Sequence, residues 1–163
     1  MNKGVIIRRL EPSDFAPAAE MIRAGFATVA RQFSLTEQNC PNHTSFITAE
    51  KLQNHFCRGW LMYGLYGSGR LTGYVSLSDE GGGVFELHNL AVLPEYRRKG
   101  LGKRLIDFCK ENVRALGGGK IIIGIIEENT ALKSWYAANG FIHTGTKKFD
   151  HLPFTAGYME CKV

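Results

Sequence analysis

Arg97-Arg98-Lys99-Gly100-Leu101-Gly102-Lys103, followed by Arg104, combines residue types that together suit a bound anion. Glycines at 100 and 102 leave backbone N–H groups uncovered, where a larger side chain would block a close ligand. If a helix opens here, its first N–H groups lack internal partners and lie at the positive end of its dipole. A phosphate answers both conditions, and the neighbouring cationic side chains add charge-assisted bonds. The chain has 20 Lys and Arg against 15 Asp and Glu, for a net charge of +5. The octet 97–104 holds five of the basic residues and no acidic one, so the rest of the chain is neutral. A compact patch suits a small polyanion better than a nucleic-acid backbone, which meets a broad basic face. A P-loop is excluded because no Gly-Lys-Ser/Thr follows. A dinucleotide fingerprint is excluded because the third glycine and a ribose-binding acid are missing.

The elements that must present this segment follow from periodicity. Val5 to Arg9 reads as a strand. Pro12-Ser13-Asp14 starts a helix carrying Ala18, Met21, Ile22 and Gly25-Phe26 at helical spacing. Ala30 to Ser45 has no clear pattern beyond a loop at Cys40-Pro41-Asn42, and Thr48 then caps a second helix with Leu52, His55 and Phe56. Trp60 to Tyr66, Leu71 to Leu77 and Val84 to Val92, separated by glycine-rich turns, form an antiparallel meander. Leu101, Leu105, Phe108, Cys109, Val113 and Leu116 mark an amphipathic helix stopped by Gly117-Gly118-Gly119. Ile121 to Ile126 is an apolar strand without alternation, as expected when both faces are buried in a parallel pair. A helix from Ala131 to Ala138 ends at Asn139-Gly140, and strands Phe141 to Lys148 and Thr155 to Cys161 flank a last loop.

Here a resemblance becomes specific. Leu90-Ala91-Val92-x-Pro94-x-x-Arg97-x-x-Gly100-x-Gly102, preceded by Glu86, resembles the signature of the GNAT superfamily of N-acetyltransferases. So do Asn129 after the apolar strand, Trp135-Tyr136, and Asn139-Gly140-Phe141. The resemblance implies a single α/β (α+β) domain over residues 1–163. Its mixed sheet has six to seven strands flanked by about four helices, around a central β-α-β crossover. It implies that the strand ending at Val92 splays from the one beginning near Ile121 to admit the pantetheine arm of acetyl-coenzyme A. Backbone groups of Leu90, Ala91 and Val92 would bond that arm. Arg97, Arg98, Lys99, Gly100, Leu101, Gly102 and Lys103 would hold the pyrophosphate. Asn129 matches a cofactor-contacting asparagine, and Tyr136 a tyrosine beside the thioester sulfur.

The implied reaction is direct transfer of the acyl group to a primary amine in a ternary complex, with no acyl-enzyme and no metal. An amine with a pKa near 10.4 is neutral in only roughly one molecule in 10³ at pH 7, so a base is needed. Glu86, four residues before Leu90, is the leading candidate, acting directly or through water. His88 shares its face by strand alternation and competes with it. Tyr136 keeps its proton at neutral pH and can give it to the departing thiolate. The alternative is a non-catalytic acyl-coenzyme A-binding module.

The remaining expectations are negative or open. No apolar run reaches the roughly 18 residues of a membrane helix, and Met1 to Leu10 lacks the long apolar region of a signal peptide, so a soluble cytoplasmic protein is expected. The scattered Cys40, Cys57, Cys109 and Cys161 suit a reducing compartment and small buried positions better than a disulfide or zinc framework. The acceptor, a small-molecule or protein amine, is left unnamed. The resemblance implies that residues 33–56 and 150–154 grip it, and these offer His43, His55, Asp150 and His151. Homodimers are common among similar proteins.

Overall fold

The computed structural model describes residues 4–163; of the stretch Met1 to Leu10, read as lacking a signal peptide's apolar region, residues 1–3 lie outside them. The seven strands are β1 (Val5–Arg9), β2 (Leu61–Gly67), β3 (Arg70–Asp79), β4 (Val84–Val92), β5 (Lys120–Ile126), β6 (Ile142–Lys148) and β7 (Thr155–Lys162). They form one sheet in the order β1-β2-β3-β4-β5-β7-β6, antiparallel except where β4 meets β5. The four helices are α1 (Phe15–Gln32), α2 (Ala49–Cys57), α3 (Leu101–Ala115) and α4 (Thr130–Ala138). The expected mixed sheet, helix number and crossover are all present.

The helices begin where local chemistry starts them. A turn over Pro12–Asp14 leads into α1, with the Asp14 carboxylate accepting the Glu11 N–H at 2.8 Å. Thr48 Oγ1 accepts the Lys51 N–H at the start of α2, satisfying one of the donors a helix leaves unpaired. The apolar stripe of α3 (Leu101, Leu105, Ile106, Cys109 and Val113) packs on one sheet face against Val75, Leu77, Phe85, Leu87 and Ile121. Helix α1 covers the other face, with Ala18 and Ile22 grouped with Tyr74 and Ala91. Each fully buried Leu or Ile contributes about 1.5–3 kcal/mol. Gly25 lets α1 come close to β4: a Cβ there would lie 3.1 Å from that of Ala91.

The sheet is divided at its centre. β4 pairs with β5 only over Val84, Phe85 and Glu86, opposite Lys120, Ile121 and Ile122. Beyond that the strands diverge, although β5 stays paired with β7 as far as Ile126. On its other edge β4 slips register against β3 between Tyr74 and Ser76, and Asn89 takes a left-handed φ of 55°. This is a bulge that bends the strand. The apolar run of β5 therefore has a cause other than a full parallel pairing. Ile121, Ile123 and Ile125 join the main core, Ile126 joins a smaller apolar cluster, and the stretch Ile123–Ile126 also lines the opened gap, where Gly124 is exposed. The cysteines also divide: Cys40, Cys109 and Cys161 are buried as expected, whereas Cys57, on the last turn of α2, is exposed.

Candidate active site

A cavity of about 1130 Å³ fills the gap between β4 and β5. Its floor is Leu87 and Leu90–Val92 on one side and Ile123–Ile126 on the other, and the start of α3 closes one end. Gly100, at φ 78°, turns the chain into α3 without any side-chain cap. The first helical bond is made by Arg104 N–H to Gly100 O, so the N–H groups of Leu101, Gly102 and Lys103 have no helical partner. Leu101, Gly102 and Lys103 line the cavity together with Arg98. Three free donors at a helix N-terminus fit a pyrophosphate, and the length and apolar floor of the gap fit a pantetheine arm.

The basic residues of this loop do different jobs. Arg97 is engaged within the chain: Nε donates to Val92 O, Nη1 to Thr28 Oγ1 and Nη2 to Gly25 O at 2.6 Å. It ties the loop to β4 and α1. Arg104 donates to Val5 O, and Lys103 pairs with Asp107 one turn along. Lys99 lies 5.5 Å over the Tyr96 ring. Gly102 answers to α4 as well as to a ligand, because a Cβ there would stand 3.0 Å from the Trp135 ring.

Helix α4 faces this cavity with Ala131, Leu132, Trp135 and Tyr136, and its N-cap Asn129 joins them. Asn129 caps the helix, its Oδ1 accepting Leu132 N–H at 3.2 Å, which leaves its NH2 group to offer a ligand. Tyr136 is buried, edge-on to Trp135 and Phe141 at 5.0 and 5.3 Å, and lines the cavity. Burial raises its phenol pKa, so the hydroxyl keeps its proton at neutral pH.

Glu86 lies elsewhere. It is half-buried on β4, and its Oε2 is 3.8 Å from His88 Nε2; it forms no part of the large cavity's wall. Burial, then Glu80, raises its carboxyl pKa. His88 instead lines a second, smaller cavity of about 420 Å³ beneath α2. Ser78 Oγ donates to Glu80 Oε1 and lies 2.7 Å from His88 Nε2. With its one proton spent on Glu80, Ser78 accepts, so His88 carries its proton on Nε2. Burial lowers the His88 pKa to about 4, and the ring is neutral. Glu80, Glu86 and His88 bring one ligand-type atom each within 4.8 Å of one another, and the chain through Ser78 already engages two of those residues.

The two cavities share His43, Thr44 and Asn89. Thr44 Oγ1 donates to Asn89 Oδ1 at 2.9 Å, joining the α1–α2 connection to the bulge. His43 Nδ1 accepts the Ser45 N–H. The other ring nitrogen therefore carries the proton, and the neutral ring can donate but not act as a base. In the smaller cavity Trp60 is sandwiched between His55 at 3.9 Å and His88 at 4.0 Å.

A family model described as the acetyltransferase (GNAT) family matches residues 26–141. The chain belongs to that family. As a member it is an acyltransferase whose donor is acetyl-coenzyme A. Solved structures agree in fold. The PaiA N-acetyltransferase of Thermoplasma acidophilum in complex with coenzyme A superposes with a TM-score of 0.83 at 23% identity, covering 98% of this chain and 99% of that one. The ribosomal-protein-S18-alanine N-acetyltransferase of Escherichia coli gives 0.78 at 17%, covering 98% and 94%. A spermidine N-acetyltransferase chimera from Vibrio cholerae and hSSAT gives 0.75 at 16%, covering 98% and 96%. No curated protein matches the chain in sequence. Among the described residues no helix is long and apolar enough to cross a membrane.

The structure thus brings Leu90–Val92, Arg97, Arg98, Gly100–Lys103, Asn129 and Tyr136 to one cavity, and leaves Lys99 outside its wall and Glu86 next to the other. Of the residues expected to meet the acceptor, His151 lines the large cavity, His55 the small one and His43 both, while Asp150 lines neither. Asn89, Trp60, Lys51 and Arg58 were not singled out by the sequence. Only Asn89 carried a signal, as a residue type that tolerates positive φ.

Proposed function

We propose that this protein transfers an acetyl group from acetyl-coenzyme A to a primary amine by direct attack, at the junction of the two cavities. The observation that carries the reading is that Tyr136 faces one cavity, Glu86 stands beside the other, and the two spaces meet at His43, Thr44 and Asn89. Acetyl-coenzyme A, when bound, supplies an acyl carbon activated as a thioester. Arg98 and the N–H groups of Leu101, Gly102 and Lys103 hold its pyrophosphate, and Arg97 keeps that loop in place.

Glu86 takes the proton from the acceptor's ammonium, directly or through water. Its raised pKa makes it a better base than an ordinary surface carboxylate. His88 is the poorer base at a pKa of about 4. As the new C–N bond forms and the C–S bond breaks, Tyr136 gives its phenolic proton to the departing sulfur and recovers one from solvent. No cysteine lines either cavity. Burial pushes Cys109 up to about 12 and raises Cys40, so neither is a thiolate nucleophile at neutral pH. Free cysteines throughout support a reducing, cytoplasmic setting.

The test is thiol release from acetyl-coenzyme A across a panel of amines. Turnover with at least one amine, strongly reduced in Tyr136→Phe, is the expected result. Tight coenzyme A binding with no turnover on any amine would instead make the protein a non-catalytic binding module.

A further inference from the structure

Neither cavity wall contains an aspartate or a glutamate. A polycationic acceptor needs carboxylates along its length, since each ammonium it buries must be paired. Two carboxylates, Glu80 and Glu86, stand within 4.8 Å of the His88 ring that lines the smaller cavity, and Ser78 already donates to Glu80. Of these two, Glu86 alone is left to meet a substrate ammonium, and it is the base.

The smaller cavity carries the opposite charge. Lys51, His55 and Arg58 fall at i, i+4 and i+7 along α2 and its C-terminal cap, which places all three on one face. All three line the cavity. Lys51 and Arg58 are exposed at its rim, and neither forms a salt bridge among the described residues. Between them, His55 is only 4% exposed and its Nδ1 has no hydrogen-bond partner. An orphaned buried ring nitrogen is costly unless something meets it. Stacking on Trp60 fixes the ring plane. Two cations with an unmatched buried ring between them form a receptor for oxyanions.

We propose that the acceptor is an amine that also carries an oxyanionic group, and that this group sits in the smaller cavity against Lys51, His55 and Arg58. With its anion held there, the amine reaches past His88 and Asn89 to the junction where Glu86 and Tyr136 act. The inference rests on the acetyl-transfer reading and narrows its substrate class.

Matched acceptors that differ only in the anion test it: phenethylamine against phenylalanine for a carboxylate, ethanolamine against phosphoethanolamine for a phosphate, with spermidine as the polycation. At least one anionic member should exceed its neutral partner in kcat/KM by about tenfold or more, chiefly through KM. Which pair shows the larger ratio identifies the oxyanion. In Lys51→Met/Arg58→Met, two exposed sites whose change leaves the core intact, that ratio should collapse toward one while the neutral amine keeps its rate. Equal rates within both pairs, or spermidine as the best substrate, would overturn the inference and leave acetyl transfer standing. If no amine is turned over, the transfer reading fails, and the anion site is judged by binding alone. Inorganic phosphate titrated into the coenzyme A-loaded protein should move the His55 ring resonances in wild type but not in the double variant. Unmoved resonances would remove the site.

Discussion

The two cavities that meet at Asn89 are built from different parts of the chain's chemistry. The larger is made mostly of main chain and apolar floor. Its polar offerings are N–H groups at the start of α3 and the open edges of β4 and β5; most of its wall comes from the continuous unit β4 to α4, and α1, residues 43–44 and the stretch from Phe149 to Tyr158 complete it. The smaller is made of side chains (Lys51, His55, Arg58, Trp60, His88) carried on α2, its trailing turn and β4. A site of backbone groups holds its ligand whatever the outward side chains are, so it suits a common donor. A site of side chains can change its charge and shape by substitution, so it suits the choice of acceptor. Donor and acceptor recognition are thereby separable within one sheet.

The sharpest way to break that separation is to strike the junction. Tyr136→Phe and Glu86→Gln should each lower kcat by about 10²–10³-fold while leaving the Kd for coenzyme A within a few-fold. Steady-state rates and calorimetry read the two quantities, and undiminished activity in either variant would move the chemistry away from the meeting point. Because the Glu86 pKa is raised, the acid limb of kcat/KM in wild type should fall above the ordinary carboxylate range, and Glu86→Gln should abolish it.

A change in pH should act mainly on the acceptor side. His55 and His88 have folded pKa values of about 4, against about 6.5 in the unfolded chain. Over that window the unfolded state binds more protons. The stability these rings provide is therefore complete above about pH 6.5 and is lost as pH falls toward 4, by up to roughly 3 kcal/mol for each ring. Chemical denaturation across this range, repeated with His55→Gln, should show a shallower loss in the variant. An unchanged slope would mean that the ring is not kept neutral by burial.

Smaller effects should stay on the donor side. Gly100→Ala forces a Cβ into a left-handed φ of 78° and should cost about 1–2 kcal/mol in thermal unfolding, with weaker coenzyme A binding and an unaltered preference among amines. Smallest, Arg98→Gln should raise the KM for acetyl-coenzyme A a few-fold, most visibly at low salt. If it changed the acceptor KM equally, the division between the two cavities would be wrong.

What the sequence disclosed follows the same division. The β4-to-α4 wall of the donor cavity was legible because its residues follow one another and local rules act on them: a glycine at a helix start, orphan N–H groups, an apolar strand after a glycine stop. Local rules misjudged long-range partners. Arg97 looked like a phosphate ligand, yet its donors reach Gly25 and Thr28, more than 60 positions away. Gly102 looked like cleared space and is also a seat for Trp135. Cys57 passed for a core residue because helical spacing does not say which face of α2 is covered. The small cavity was illegible for the same reason: Lys51, Trp60 and His88 carry no shared motif and meet only because β2, β3 and β4 pair side by side.

The three-residue seam between β4 and β5 has a mechanical consequence. With only Val84 to Glu86 stitched to Lys120 to Ile122, the sheet is two panels hinged at one end. A donor arm laid along the facing strand edges would serve as the missing rungs. Whatever binds only the folded chain raises its stability by RT ln(1 + [L]/Kd), and here the gain should concentrate at the seam. Amide exchange of Leu90–Val92 and Ile123–Ile126 should slow when coenzyme A is present, while β1 and β2 keep their rates. A ligand held there would act as a temporary strand.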